Sequence, residues 1–146
     1  MAKTLRTAII DTYALMAKAT GEITSQANKH LEDVRKGKLK GVIHPLITYE
    51  FVLQFHKGRI PIFDTAQETL EFLETYFSTA ELSNNIALTA AEIKFRSDTL
   101  LTTLKRKLSI CDSLTIALAK KAEAPIITGD QDLRAVAEKE NVETIW

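Results

Sequence analysis

Residues 109–133 combine an amphipathic helix with a short apolar run, and this pair constrains the fold most strongly. Ser109 is a helix N-cap, Asp112 is a capping-box acid three residues later, and apolar residues recur at helical spacing. Pro125 then opens the run at residues 126–128, which is apolar enough to be a strand buried on both faces. Strands of that kind belong to parallel sheets that are covered by helices on both sides.

Similar apolar runs alternate with helical patterns along the whole chain. Strands are predicted at residues 5–10, 39–43, 80–83, 126–128 and 142–145, and helices from about residue 13 and over residues 22–36, 45–55, 65–77, 86–104, 109–122 and 133–140. The alternation predicts an α/β fold, a three-layer α/β/α sandwich with a central parallel sheet of four to five strands. We expect a single domain over residues 1–146, because no linker or internal repeat interrupts the pattern.

Charge and composition limit the classes of partner. The 19 basic and 19 acidic residues cancel, so a nucleic acid would have to be held by a local basic patch. Cys111 is the single cysteine, which suits a reducing cytoplasm, and we expect it to be a small buried core residue. Asp11 interrupts the first apolar run too early for a signal peptide, and no stretch approaches the roughly 20 apolar residues of a membrane span. We therefore expect a soluble cytoplasmic protein.

Acidic residues follow the predicted strands or open the predicted helices. Asp11 follows the first strand, Asp112 opens the helix at 109–122, and Asp130 and Asp132 follow the strand at 126–128. Glu50 lies on the helix after the second strand. Since the carboxyl ends of parallel strands share one edge of a sheet, we expect these acids to converge there. Hard oxygen ligands select Mg²⁺ or Mn²⁺ over zinc.

Each acid also has an ordinary structural interpretation. Asp11 is a favoured N-cap, Asp112 can serve as a capping acid only, and a lone Glu50 would usually be solvated. Whichever of Asp130 and Asp132 is not a ligand would cap the following helix. The histidines are too scattered for a zinc site, and we expect all three to be surface or loop residues: His30, His44 and His56.

Taken in order, these motifs resemble the PIN-domain nucleases, especially the small toxins of the VapC kind. The resemblance covers essentially the whole chain. It rests on Asp11-Thr12 after the first strand, Glu50 after the second, Asp112-Ser113 at the start of an alanine-rich helix, and residues 128–133, Thr-Gly-Asp-Gln-Asp-Leu, after a later strand. It implies that the catalytic acids Asp11, Glu50, Asp112 and Asp130 bind one or two Mg²⁺ or Mn²⁺ ions, with Asp132 as a further ligand. Thr12, Ser113 and Thr128 would support them.

The resemblance further implies endonucleolytic hydrolysis of RNA by the toxin of a toxin-antitoxin pair. Two-metal hydrolysis needs no nucleophilic side chain, and none is evident. RNA-binding candidates are Lys57 and Arg59, the cluster Lys105, Arg106 and Lys107, and also Lys36, Lys38 and Lys40. The resemblance also implies a homodimer and a groove for an antitoxin. The helices between Glu22 and Phe77 carry more apolar residues than one sheet face needs, including Phe51, Phe55, Phe63, Phe72, Tyr76 and Phe77. We expect most of them to belong to the core and the remainder to form the dimer interface and the groove.

Two residues depart from the family pattern, and two other functions stay open. Tyr13 stands where the family often has a small polar residue, which would alter the mouth of the site, and Leu133 stands where it often has Phe. A haloacid-dehalogenase-like phosphatase would also place Asp11 after a first strand and Asp130 after a late one. It usually has a second aspartate where this chain has Tyr13. A non-catalytic PIN-fold binding module is the other alternative, and the full set of acids argues against it.

Overall fold

Five parallel strands form the centre of the computed structural model, which describes residues 5–101 and 106–146. The strands are β1 (Thr7–Ile10), β2 (Lys40–Ile43), β3 (Ser78–Thr79), β4 (Ile126–Ile127) and β5 (Thr144–Ile145), in the sheet order β3-β2-β1-β4-β5. The helices are α1 (Thr12–Thr20), α2 (Ser25–Arg35), α3 (Pro45–His56), α4 (Ala66–Tyr76), α5 (Asn84–Leu101), α6 (Ile110–Ala122) and α7 (Gln131–Lys139). The predicted α/β class and the parallel sheet are confirmed.

Alternate residues of the strands face two separate apolar layers. Ile9 and Ile126 belong to a layer formed with α5, α6 and α7. Ile10 and Ile127 point the other way, into a layer formed with α1, α2, α3 and α4. All four isoleucines are fully buried, as expected for central strands of a parallel sheet that is covered on both faces. The two layers hold the carboxyl ends of β1 and β4 side by side.

Local capping signals fix where several helices begin. The Thr65 hydroxyl accepts a hydrogen bond from the Glu68 amide, and the Glu68 side chain accepts one from the Thr65 amide, so the predicted capping box is present. Ser109 caps α6 by accepting from the Asp112 amide. Asp11 and Asp130 cap α1 and α7 in the same way. Two of the acids expected at a metal site therefore also begin helices.

The edge strand lies earlier in the chain than predicted. We expected it at residues 80–83, but β3 is Ser78–Thr79, which pairs with β2. Phe77 leaves α4 in an extended conformation without a glycine turn, so pairing starts at once, and the Ala80 amide ends it by donating to Ile43 O. Ala80 and Leu82 then pack against the α5-α6-α7 layer. The apolar residues that suggested a strand are used in helix packing instead.

His44 is a loop residue, as predicted, but it does not lie at the surface. It lies between β2 and α3 but is completely buried. Its Nε2 is 2.8 Å from Thr115 Oγ1 on α6, and that hydroxyl donates to Cys111 O at 2.9 Å. Because a hydroxyl has one proton, His44 Nε2 must be the donor, which leaves Nδ1 without a partner. Burial lowers the pKa of His44 to about 4, so the ring is neutral at neutral pH.

No helix in the described part of the chain combines the length and the hydropathy needed to cross a membrane.

The His44–Thr115 hydrogen bond predicts a measurable contribution to stability. Thr115→Val removes the acceptor and leaves a buried Nε2–H unpaired, so the free energy of unfolding should fall by about 1–3 kcal/mol. Thr69→Val is a matched control, because Thr69 is equally buried but its hydroxyl donates only to Ala66 O within its own helix. Urea denaturation of both variants tests this. Equal losses would show that His44 draws no stability from Thr115.

Candidate active site

A cavity of about 270 Å³ opens at the edge of the sheet where the parallel strands end. Asp11 reaches it from the end of β1, Glu50 from α3, Asp112 from the first turn of α6, and Asp130 from the turn between β4 and α7. The rest of its lining is Thr12, Tyr13, Met16, Gln54, Ser109 and Cys111. The fold thus gathers four carboxyl groups from four separate segments around one small space.

Asp11 is the most deeply buried acid of the site. It is 4% exposed, and both carboxyl oxygens accept hydrogen bonds: Oδ1 from the Ala14 amide at 2.9 Å and Oδ2 from the Thr128 hydroxyl at 2.6 Å. Burial raises the pKa of Asp11 to about 8, although the two hydrogen bonds act to lower it; the charges of Asp112 and Asp130 raise it further. Without a cation, this carboxyl group holds a proton near neutral pH.

Burial and nearby negative charge also raise the pKa of Asp112, although its side chain lies nearer the solvent. Burial is the largest reason that its pKa is raised to about 7, and the charge of Asp130 is the next. The hydrogen bond with Ser109 opposes the shift, while Glu50 and Asp132 add to it. The negative charges that raise the pKa of Asp11 and Asp112 make the cluster electrostatically unfavourable, which a divalent cation would relieve.

Glu50 is oriented by a neighbour from another segment. The Thr12 hydroxyl donates to Glu50 Oε1 at 2.6 Å, joining the start of α1 to the middle of α3. Gln54 lies one helical turn after Glu50 and also lines the cavity, and its Oε1 accepts from Arg59 at 2.9 Å. Gln54 was not predicted as a site residue, although its spacing of four residues from Glu50 places it on the same face of α3.

Asp130 and Asp132 have different surroundings. Asp130 lines the cavity, while its Oδ1 accepts from the Leu133 amide at 2.9 Å and its own amide donates to Thr128 Oγ1 at 3.1 Å. Asp132 is not part of the lining, and its Oδ1 forms an ion pair with Arg106 at 2.9 Å. These contacts favour Asp130 over Asp132 as the acid that faces the cavity.

Several other candidates lie away from the cavity. Ser113 is buried, and its hydroxyl donates to Ile110 O within α6, so it does not line the cavity. The lysines at positions 36, 38 and 40 stand at the amino end of β2, the opposite edge of the sheet from the acids. Lys57 and Lys107 are exposed, and Lys105 lies outside the described residues. Only Arg59 and Arg106, among the described basic candidates, contact Gln54 or Asp132 near the site.

The donor set suits a hard divalent cation by its chemistry. Four carboxyl groups offer oxygen ligands, and the lining contains neither a histidine nor a described lysine or arginine. As the side chains stand, the described residues include no group of three or more His, Cys, Asp or Glu that could hold an ion. The contacts above explain this, since oxygens of Asp11, Glu50 and Asp130 already accept hydrogen bonds from the protein. The acids fit Mg²⁺ or Mn²⁺ as a donor set, without a preformed ligand shell.

Cys111 lies both in the core and at the wall of the cavity, and the sequence predicted only the first of these. It is only 7% exposed and packs in the core, as expected, yet it also lines the cavity. Burial and the nearby Glu50 raise the pKa of the thiol, so it stays protonated and is a poor nucleophile.

Comparisons with known proteins agree with the observed fold. The family model of the PIN domain matches residues 8–139. Among curated proteins, none matches the sequence significantly. Among solved structures, VapC20 of Mycobacterium tuberculosis, described as a Sarcin-Ricin loop cleaving toxin, is similar with a TM-score of 0.65 at 15% identity, over 88% of this chain and 93% of that chain.

Two toxin-antitoxin structures have similar folds. VapBC2 from Rickettsia felis, bound to a DNA fragment from its promoter, has a TM-score of 0.65 at 13% identity, over 94% of this chain and 96% of that chain. VapBC-1 from nontypeable Haemophilus influenzae has a TM-score of 0.63 at 13% identity, over the same shares of the two chains. At such identities the likeness establishes the fold alone.

The raised pKa of Asp112 predicts how stability depends on pH when divalent ions are removed. A carboxyl group whose pKa is higher in the folded than in the unfolded state stabilises the fold at low pH, and this contribution is lost as the pH rises through about 7. In EDTA, Asp112→Asn should therefore raise the free energy of unfolding at pH 8 by on the order of 2 kcal/mol, with no gain at pH 4. Denaturant titrations at both pH values measure it. Glu138→Gln changes an exposed acid on α7 and is the control, which should leave the free energy of unfolding unchanged at both pH values. If Asp112→Asn also left it unchanged at both, the acidic cluster would carry no strain.

Proposed function

Because the chain belongs to the PIN domain family, we propose that it is a Mg²⁺- or Mn²⁺-dependent endoribonuclease that hydrolyses RNA phosphodiester bonds, acting as the toxin of a toxin-antitoxin pair. Proteins of this family are nucleases. The observation that carries the proposal is the meeting of Asp11, Glu50, Asp112 and Asp130 around one cavity. Helix capping accounts for Asp11 and Asp130 separately, but it does not account for four carboxyl groups around one space, since their mutual repulsion is unfavourable.

The catalytic role of the chain is to hold carboxylates in place. Asp11, Glu50, Asp112 and Asp130 would hold the cation, with Asp132 available beside them. A divalent cation held there would lower the pKa of a water molecule and neutralise charge on the phosphodiester. Thr128 orients Asp11, and Thr12 orients Glu50. Because the pKa of Asp11 is raised to about 8 and that of Asp112 to about 7, binding of a cation near neutral pH would release protons.

RNA is the proposed substrate for two reasons. The similar structure from Mycobacterium tuberculosis is described as cleaving the Sarcin-Ricin loop, which supports RNA for this chain by analogy of fold. Arg59 and Arg106 lie next to residues of the site and can offset the repulsion between its acids and the phosphates of a bound strand. The family assignment leaves the haloacid-dehalogenase-like phosphatase without support. Measurements of RNA cleavage and of metal binding distinguish the nuclease from a non-catalytic binding module.

An antitoxin, a homodimer and a cytoplasmic location complete the proposal. An apolar cavity of about 490 Å³ lies between α1, α2, α3 and α4, on the opposite side of the sheet from α5. Aromatic side chains line it, including Phe51, Phe72, Tyr76 and Phe77, with Lys18, Glu32 and Arg35 among its charged residues. Such a groove suits an apolar side chain of a protein partner. The similar folds of two VapBC complexes support an antitoxin as that partner.

Cleavage of RNA tests the nuclease directly. Incubated with single-stranded RNA in Mn²⁺, the protein should cut internal phosphodiester bonds, and Asp112→Asn should lower the rate by roughly 100-fold or more, because even supporting groups at metal sites contribute 10–100-fold. Glu138→Gln should retain the wild-type rate. Turnover of a phosphomonoester instead would indicate a phosphatase. Absence of both activities, with no metal binding by calorimetry, would indicate the binding module.

Salt dependence tests the two arginines. If Arg59 and Arg106 contact phosphates, changing either to Gln should weaken binding of single-stranded RNA and flatten the slope of log affinity against log salt by about 0.7. Lys36→Gln, at the opposite edge of the sheet, should leave the slope unchanged. Fluorescence anisotropy in EDTA measures binding without cleavage. Slopes that are identical for all four proteins would refute the assignment.

A growth assay tests the groove. Ile62 is 68% exposed and lines the apolar cavity, so Ile62→Glu should prevent neutralisation by the cognate antitoxin and leave the cells arrested. Leu88→Glu changes a residue that is equally aliphatic and 61% exposed on α5, and it should be neutralised like the wild type. Neutralisation of both variants would contradict the proposal that the antitoxin binds in the groove.

Sedimentation velocity at micromolar concentration tests the proposed homodimer. A monomeric species at that concentration would exclude it.

A further inference from the structure

An exposed aromatic ring stands at the mouth of the acidic cavity. Tyr13 lies in the first turn of α1, two residues after Asp11, and its side chain lines the same cavity as Asp112 and Asp130. The residue is 46% exposed, so burial of its ring in the core does not account for it. Within the described part of the chain, no hydrogen bond holds its hydroxyl group. Packing alone therefore determines where the ring lies.

Trp146 and Gly129 fix the position of that ring. The Tyr13 and Trp146 rings meet edge to face, with centroids 5.4 Å apart and planes at 77°. Both lie directly against Gly129, where a Cβ atom would come within 2.7 Å of Tyr13 Cε1 and 2.4 Å of Trp146 Cε2. Trp146 in turn packs on the α1-α2-α3-α4 layer. The backbone at Gly129, next to Asp130, thus supports the rings of Tyr13 and Trp146. The Tyr13 ring is half exposed and lies beside the acids.

We propose that Tyr13, braced by Trp146, is a substrate-positioning residue that stacks one unpaired base of the RNA next to the phosphodiester that is cut. The inference rests on the proposed nuclease function and names its substrate more closely. Bases stack on aromatic side chains with little regard to sequence, because every base has a π face. In a duplex these faces are already covered by neighbouring bases. The substrate is therefore single-stranded at the point of cleavage.

The electrostatics of the cavity give stacking a particular importance. The carboxyl groups that line the cavity repel the phosphates of an approaching strand, and its described lining residues include no lysine or arginine. An uncharged attraction at the rim offsets that repulsion without neutralising the carboxylates that bind the cation. Tyr13 is placed for this, since it is the aromatic residue of the cavity lining. The departure from a small polar residue at this position then has a function.

Intrinsic fluorescence tests the proposal, because Trp146 is the single tryptophan of the chain. In EDTA, where no cleavage occurs, a 12-nucleotide oligoadenylate should change the Trp146 emission on binding. An abasic strand of the same length and charge should bind about tenfold or more weakly at the same salt concentration and change the emission less. This comparison uses the wild-type protein and does not depend on the folding of a variant. Equal affinity for the two strands would overturn the proposal.

Substitution of Tyr13 locates the effect. Tyr13→Phe keeps the ring and should keep the preference for the base-containing strand. Tyr13→Leu keeps apolar bulk without a π face, and it should lose about tenfold or more in affinity for oligoadenylate but nothing for the abasic strand. An equal loss for both strands would mean a purely structural role and would also overturn the proposal.

RNA cleavage in Mn²⁺ is measured separately from binding. Base-dependent binding without cleavage would refute the nuclease function alone. Cleavage with base-independent binding would refute the stacking role of Tyr13 alone.

Discussion

A single hydroxyl group joins the two central strands at the point where the acids meet. Thr128 Oγ1 donates to Asp11 Oδ2 at 2.6 Å, and it accepts from the Asp130 amide at 3.1 Å. The other oxygen of Asp11 accepts from the Ala14 amide in the first turn of α1. This short chain of hydrogen bonds connects β1, β4, α1 and the start of α7 through one buried carboxyl group. The placement of Asp11 relative to Asp130 depends on it.

The cluster of acids opposes folding, and the apolar layers make it tolerable. Removing a carboxylate from water is costly, and further negative charges nearby add to the cost. Against this, the central strands bury isoleucines completely on both faces of the sheet, at about 1.5–3 kcal/mol for each large aliphatic side chain. Stability is thus concentrated in the two layers, while the edge of the sheet keeps carboxyl groups that are unfavourable for the fold.

The sequence was sufficient for the features that depend on local chemistry. The capping box of Thr65 and Glu68 needs residues three apart, and it is present. The order of strands and helices follows from hydrophobic period, and in a parallel sheet that order brings Asp11 and Asp130 to one edge. The placement of Glu50 beside Thr12 could be anticipated only through family resemblance, because nothing in the helix pattern shows which way Glu50 points.

Features that depend on distant partners could not be predicted. His44 is buried because Thr115, 71 residues later, offers it an acceptor. The edge strand is displaced because α4 ends in an extended residue, which places Ser78 rather than Ala80 beside β2. The ion pair of Asp132 with Arg106 similarly joins two elements, and no local pattern distinguishes it from a solvated acid. In each case the deciding contact lies outside the window in which periodicity and capping operate.

The separation of Asp11 and Thr128 along the chain has a consequence for biosynthesis. The two residues are 117 positions apart, so the hydroxyl that orients the first acid emerges from the ribosome long after that acid. At translation rates of about 5–20 residues per second, several seconds pass between them. For most of that interval the nascent chain lacks Asp112, and Asp130 is made only after Thr128. The four acids therefore cannot meet around the cavity until most of the chain has been made.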